Sequence, residues 1–273
     1  MSFGADGLGG MTAEEVKYYE DGVWYDAEYV HIGIDIPYYA GVAAQASGPI
    51  LELACGTGRL TIPMVQVGGE VVGVDVVPAM IEQANAKKVQ LFPAEQERIE
   101  FILGDMRHLR LDRKFKAVII GFNTLMHLTE DEDLAATLDT VREHLDEDGK
   151  FYLDFHMPPP GMPVRQDPNG RYDPQEMIDP RDGRRYVVTE NNQYDARQQI
   201  TVLRFFYQEV DQDGQNIGDE FIRTLRLRVI YPREMDLWLK NHGFEIVEDW
   251  DDFEKTTPFT AEGGRRVMVV QAR

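Results

Sequence analysis

Cysteine is nearly absent: Cys55 stands alone in 273 residues. A single thiol excludes an internal disulfide framework, and its place in a glycine-rich turn suits a small packed residue rather than a nucleophile. No apolar run is long enough to span a bilayer, so no membrane partner is expected. The stretch Met1 to Gly10 lacks the basic start and apolar segment of a signal peptide. With the lone cysteine, that sets the expectation of a cytoplasmic protein. Basic residues are scarce beside acidic ones: 28 Lys and Arg against 48 Asp and Glu, a formal net charge of −20. Such a chain repels phosphate backbones, which argues against a nucleic-acid partner. A neutral or cationic small molecule suits its field better, although much of this charge simply solvates the surface. None of the six histidines stands in a zinc-binding pattern with a carboxylate, so no metal is expected.

What the chain does have begins at Pro49. The run Ile50-Leu51-Glu52-Leu53-Ala54-Cys55 breaks into Gly56-Thr57-Gly58, and a helix-like pattern follows from Arg59 to Val67. This reads as a buried strand, a tight turn and a helix start. Glycine in that turn lets backbone approach a ligand closely. A second apolar run, Glu70 to Val74, ends in Asp75, placed to accept both hydroxyls of a ribose from the tip of the neighbouring strand. The nicotinamide fingerprint needs a third glycine where this chain has Thr61. A phosphate loop needs Gly-Lys-Ser/Thr where it has Gly58-Arg59-Leu60.

Strands at Ile99–Leu103, Ala117–Gly121 and Lys150–Phe155 alternate with helices, one opened by Pro78 and one by Thr129-Glu130-Asp131-Glu132. Alternation of this kind predicts an α/β, doubly wound, mostly parallel sheet with helices on both faces. A proline-rich irregular loop is expected from Met157 to Pro180. Three strand-like runs follow, Arg184–Asn192, Gln198–Val210 and Gly218–Tyr231, with period-two patterning at Leu203, Phe205, Leu225 and Leu227. They predict a three-stranded antiparallel insertion. A helix from Pro232 to Asn241, stopped by Gly243, and a hairpin of Phe244–Trp250 with Arg266–Gln271 complete the sheet. The expected organisation is an aromatic and helical lid segment over 1–48, an α/β core over 49–156, an insertion over 157–231, and a closing helix and hairpin over 232–273.

The form Glu-Leu-Ala-Cys-Gly-Thr-Gly with the later Asp75 resembles motif I and the acid after the second strand in class I S-adenosylmethionine (SAM) methyltransferases. The likeness covers about residues 40–155 and 232–273, and the expected sheet is then seven-stranded and Rossmann-like. The insertion and the aromatic start resemble a small-molecule subgroup, that of amino-sugar N-methyltransferases and glycine or sarcosine methyltransferases. The resemblance implies SAM as cofactor, held by Glu52, Ala54, Gly56, Gly58 and Arg59 at the turn and by Asp75 at the ribose. Met80, Asp105 and Met106 would lie at the adenine, with Asn123 as a brace. Tyr25 would close over the cofactor and reach the reacting atoms. His127, after the fourth strand, is the candidate base or orienter for the methyl acceptor, with Tyr19, Tyr29 and His156 lining its pocket. The expected activity is methyl transfer to a small molecule at nitrogen or oxygen, with a homodimer compatible. Two rivals remain: a SAM-responsive binding protein without catalysis, and a nicotinamide-dependent oxidoreductase.

Overall fold

The computed structural model of the chain describes residues 8–157, 167 and 169–273. Three helices lead in: α1 (Ala13–Tyr19), α2 (Gly22–Glu28) and α3 (Ile36–Gln45). Strand β1 (Ile50–Leu53), α4 (Thr61–Gln66), β2 (Val71–Asp75), α5 (Pro78–Lys88), α6 (Pro93–Gln96) and β3 (Ile99–Leu103) follow. Next come β4 (Phe115–Ile120), α7 (Asp131–His144) and β5 (Leu145–His156). A second sheet is built from β6 (Tyr172–Ile178), β7 (Arg185–Asp195), β8 (Ile200–Val210) and β9 (Phe221–Arg228). Helix α8 (Pro232–Asn241) and strands β10 (Phe244–Trp250) and β11 (Arg265–Ala272) close the chain.

The main sheet has seven strands in the order β10-β11-β5-β4-β1-β2-β3. Its inner strands are parallel, and β11 runs antiparallel between β5 and β10. Strands β1 and β2 are buried at every position, as parallel strands covered on both faces must be. On one face Leu134, Leu138 and Val141 of α7 and Met235 and Leu239 of α8 pack on Leu51, Leu53, Val118, Phe151 and Leu153. On the other, Tyr39 and Ala43 of α3 and Met64 and Val65 of α4 pack on Ile50, Val71, Ala117 and Ile119. The sheet is therefore doubly wound, with the strand ends left to carry polar groups.

The antiparallel layer has four strands, in the order β6-β7-β8-β9, rather than the three expected. The additional strand, β6, contains Pro174, which made the segment read as loop. It is an edge strand, and its register shifts between Tyr172 and Gln175, across Asp173 and Pro174. A proline lacks the ladder N–H, and a bulged edge is where a strand tolerates one. Strand β5 also begins earlier than the apolar run at 150 indicates, because Leu145 pairs with Phe115 and Lys116 ties down Asp146 and Asp148. Of the rest of the expected proline-rich loop, 158–166 and 168 lie outside the described residues, as does the glycine-rich start, 1–7. Among the described residues no helix is long and apolar enough to cross a membrane.

The second sheet packs on the lead-in helices through Trp24 of α2 and Met177, Tyr186, Val188 and Tyr207. This packing sets β8 and β9 against the carboxyl ends of the main-sheet strands, where open α/β sheets bind ligands.

Candidate active site

One cavity of about 420 Å³ lies at those strand ends, floored by the turns after β1 to β5 and roofed by β8 and β9. Three non-glycine residues in its wall have left-handed backbone: Ala54 (φ 56°) after β1, and Phe122 (φ 56°) and Asn123 (φ 64°) after β4. Such conformations cost free energy and gather at functional sites. Gly56, also left-handed at φ 56°, has open space where a Cβ would stand, with only Tyr25 within 4 Å, at 3.9 Å. Gly58 differs. It does not line the cavity, and a Cβ there would lie 2.9 Å from the Phe101 ring. Its glycine is required by packing and by a φ of 79°.

Asp75 ends β2 with its carboxylate anchored from below. Oδ2 accepts the Gly56 N–H at 2.8 Å and Oδ1 the Val77 N–H at 2.9 Å. Each oxygen keeps a second lone pair for a hydroxyl in the cavity. Burial pushes its carboxyl up to about 6, against the pull of those backbone donors. Glu52 is buried in the first strand and accepts the Thr61 hydroxyl. Burial raises it to about 8, partly opposed by Thr61 and by the Arg59 charge. Arg59 itself is committed to Asp35 in a two-point pair at 2.8 and 2.5 Å, with its guanidinium 4.0 Å above the Phe122 ring.

Beyond Asp75 the wall turns apolar, where Met11, Val77 and Met80, packed together with Val76, line a slot, and Met106 borders the same cavity. Asp105 stands at its edge, gripped by Arg107 through Nε and Nη2, while Arg107 reaches on to Asp133 at 2.7 Å. Burial would raise the Asp105 carboxyl, but the Arg107 hydrogen bonds and charge outweigh it and hold it low. Asp105 thus stays ionised as an acceptor at the slot's rim.

The other half of the cavity is aromatic and imidazole-lined. The Tyr19 hydroxyl meets His127 Nε2 at 3.1 Å. Burial drives the His127 pKa down to about 4, with Glu15 opposing, so the ring is neutral near pH 7. Tyr19 keeps its proton, because burial and the neighbouring Tyr29 raise it well above its ordinary value. The rings of Tyr25 and Tyr29 lie 4.7 Å apart, and Tyr29 stands edge-on to Phe122 at 5.3 Å.

At the mouth, Arg265 of β11 donates to Asp154 Oδ2 at 2.7 Å and to His156 Nε2 at 2.9 Å. A guanidinium only donates, so Nε2 is the accepting nitrogen and Nδ1 carries the hydrogen bonded to the Gly264 carbonyl at 3.1 Å. His156 is therefore a neutral ring with both nitrogens occupied, its pKa lowered by burial and by Arg265. The side-chain oxygen of Asn123 is likewise engaged, accepting the His156 backbone N–H at 2.8 Å.

Every candidate named from the sequence borders this cavity except Gly58. The insertion roofs the cavity, as the sequence leads one to expect, through Leu203, Phe205, Leu225 and Leu227, whose alternation was visible although they were not singled out as site residues. Sequence reasoning missed Arg265, brought opposite His156 by the β5–β11 register, and Gly9 and Met11 at the slot. For those three no local signal exists. The arrangement suits a nucleoside: a carboxylate with spare lone pairs for two hydroxyls, an apolar slot with an ionised acceptor at its rim, and an acid beside an open glycine turn. Such groups are compatible with the ribose, the adenine and the ammonium-bearing amino-acid end of S-adenosylmethionine.

Comparison with known proteins agrees. A family model described as a methyltransferase domain matches residues 50–149. A protein of Geobacillus sp. (strain WCH70) described as a methyltransferase is 31% identical over 150 residues, 54% of this chain and 58% of that relative. The chain thus spans a little over half of that protein's length. The dTDP-3-amino-3,4,6-trideoxy-α-D-glucopyranose N,N-dimethyltransferase of Streptomyces venezuelae is 32% identical over 132 residues, 46% of this chain and 52% of that one. Among solved structures, the CcbJ methyltransferase from Streptomyces caelestis superposes with a TM-score of 0.73 at 26% identity, over 96% of this chain and 99% of the other.

Proposed function

Since the chain belongs to the class I S-adenosylmethionine-dependent methyltransferases, we propose that it methylates a nitrogen atom of a small acceptor with an apolar body. The observation that carries nitrogen over oxygen is the engaged state of the polar groups on the acceptor side. His127 has too low a proton affinity to deprotonate a hydroxyl. His156 has no free nitrogen. Asp154 is consumed by Arg265, the Tyr39 hydroxyl and the Phe122 N–H. A hydroxyl acceptor needs a base at the moment of attack, whereas an amine needs only to be neutral when it attacks. The printed activity of the Streptomyces venezuelae relative, an amino-sugar N,N-dimethyltransferase, supports the same choice.

Bound S-adenosylmethionine supplies a methyl group already activated by its sulfonium. The chain's own part is binding and alignment, which in displacement reactions supplies most of the acceleration. Asp75 takes the ribose hydroxyls, Glu52 and the Gly56 turn face the amino-acid end, and Asp105 and the methionine slot hold the base. His127, steadied by Tyr19, has its other ring nitrogen to orient the acceptor. Leu203, Phe205, Leu225 and Leu227 give the acceptor an apolar roof and exclude water.

The test is transfer of labelled methyl from S-adenosylmethionine to matched pairs of apolar amines and alcohols. Label in the amines alone is the expected result. Label confined to the alcohols or phenols would overturn the nitrogen reading.

A further inference from the structure

Glu28 is a buried acid with no task in the scheme so far. It ends α2, behind the aromatic wall of the cavity. Its Oε1 accepts two phenol hydrogens, from Tyr18 at 2.9 Å and from Tyr207 at 2.8 Å. Its Oε2 is buried without a hydrogen-bond partner. The Tyr18 hydroxyl also lies 2.6 Å from the Tyr29 hydroxyl, and Tyr29 lines the cavity.

The directions of these bonds follow from proton counting. An ionised carboxylate only accepts, so the single Tyr18 proton goes to Glu28. Tyr29 must then donate to the Tyr18 oxygen. That leaves the Tyr29 oxygen with a lone pair and no proton of its own to offer the cavity. Both links run one way, from Tyr29 at the cavity wall through Tyr18 to a buried anion.

We propose that Tyr29, Tyr18 and Glu28 form a relay that takes the proton from an ammonium acceptor and stores it on Glu28 before methyl transfer. The inference rests on the amine reading above and is consistent with it, because a carboxylate that can take a proton from an ammonium is far too weak a base to take one from an alcohol hydroxyl. In the step, an N–H bond of the acceptor breaks and its proton bonds to the Tyr29 oxygen. The Tyr29 proton passes to Tyr18, and the Tyr18 proton to Glu28 Oε1. The acceptor keeps the electron pair as its nucleophilic lone pair. Glu28 ends neutral, both tyrosines end neutral, and the proton returns to solvent when the products leave.

The surroundings fit a transient proton store. Glu28 is faced by Tyr18 from α1, Tyr29 from its own segment, Tyr207 from β8 and Arg223 from β9, whose guanidinium stacks 5.5 Å from the Tyr207 ring. Burial raises the Glu28 carboxyl above its ordinary value, and the phenol hydrogen bonds and Arg223 limit the rise. The orphan Oε2 makes the anion costly, so neutralisation relieves an unsolvated charge. Burial also raises Tyr18 and Tyr29 well above their ordinary values, so both pass protons on without becoming stable phenolates.

The test needs no known acceptor. Sinefungin carries an amine where the cofactor carries its methyl sulfonium; S-adenosylhomocysteine has neither the amine nor the charge there. Calorimetric dissociation constants for both ligands are measured on the wild type, Glu28→Gln, Tyr18→Phe and Tyr29→Phe. S-adenosylhomocysteine affinity should hold within about twofold in Glu28→Gln and Tyr18→Phe, whose side chains do not line the cavity, well inside the effect of one lost polar contact. Sinefungin affinity should fall roughly 10- to 100-fold in every variant, the range for a lost hydrogen bond to a charged group. The Glu28→Gln/Tyr29→Phe double variant should lose no more than the worse single one, because both break one chain. An unchanged ratio of the two affinities in Glu28→Gln, or an equal loss of both ligands, overturns the relay; equal loss marks a merely structural role. Should Glu28→Gln fail to fold, Tyr18→Phe cuts the wire with Glu28 in place and decides by the same ratio. Neither ligand contains an acceptor, so a failed ratio leaves the amine reading standing, and a screen labelling only alcohols sinks that reading whatever the ratio.

Discussion

Asp75 and Glu52 are both buried acids at strand ends, yet their surroundings give them different tests. Asp75 has two backbone donors beneath it and spare lone pairs above. Asp75→Ala should weaken S-adenosylhomocysteine by about 1–3 kcal/mol, the loss of unpaired hydroxyl contacts, as read by calorimetry. Glu52 tests protonation. Its folded pKa of about 8 lies above the ordinary 4.5. The folded state therefore binds more protons between those values, and the stabilisation present below pH 4.5 is lost as pH rises through about 8. Glu52→Gln carries no charge to bury, so its melting temperature relative to wild type should climb from pH 5 to pH 8, by an amount worth on the order of a few kcal/mol. A difference that stays flat with pH would mean the carboxyl is ionised throughout. His127 acts in the opposite sense, its contribution being lost as pH falls from 6.5 through about 4, so comparing variant with wild type isolates the carboxyl. Gly58 shows where residue-level reading stops. The motif marks the position, but only the fold reveals the Phe101 ring pressed against it. Gly58→Ala should destabilise the protein by roughly 1–3 kcal/mol through left-handed strain and overpacking, while the folded fraction binds S-adenosylhomocysteine normally.

At the scale of elements, the parallel core was legible because its physics is local. Ile50–Leu53 and Val71–Asp75 are continuous apolar runs ended by turn residues, and Pro78 opens α5 as a first-turn proline does. Strand β6 was not legible, since Pro174 argues against a strand unless an edge and a bulge are already known. Arg265 was hidden for a related reason. A register match between strands far apart in sequence brings it to the site, and no local pattern encodes that. The cluster it completes ties β11, α3 and the turn after β4 to one carboxylate of β5. Asp154→Ala would leave the Arg265 charge, the Tyr39 hydroxyl and the Phe122 N–H without their acceptor. Removing one member of a buried pair typically costs about 3–5 kcal/mol. Denaturant unfolding should show a loss of that order, larger than for Arg265→Met, because the arginine is partly exposed and the aspartate is fully buried. The roof offers a contrasting element test. Leu225→Ala should raise the KM of an apolar acceptor while leaving S-adenosylmethionine affinity within about twofold, since the alternating leucines come from the roof strands rather than from the strand-end turns that carry Asp75 and Gly56.

At the scale of the whole molecule, charge dominates. With 48 acidic and 28 basic side chains, 20 negative charges remain even if every base finds an acid. Many bases do: Arg59, Arg107, Arg228, Arg265 and Arg266 each hold one or two carboxylates within 3 Å. The strongest of these pairs are shielded from solvent on at least one side, where salt screens them little. The unpaired acids lie mostly outside, where repulsion between them opposes the compact state. Added salt thus acts on two opposing terms. It weakens exposed pairs such as Arg110–Glu143 and Arg113–Glu100, each worth at most about 1 kcal/mol. It also screens the repulsion of the excess acids, whose range is about 10 Å at 0.1 M. Because the excess acids outnumber such exposed pairs, screening of repulsion should win. The melting temperature should rise steadily as sodium chloride is increased from about 0.01 to about 0.5 M, the span over which the Debye length shrinks from roughly 30 Å to a few ångströms. Most of the gain should come in the lower half of that range, where screening changes fastest, and repeating the series with potassium chloride should trace the same curve if the effect is general screening. A fall on adding salt would show that surface pairs, not the net charge, govern the stability of the chain.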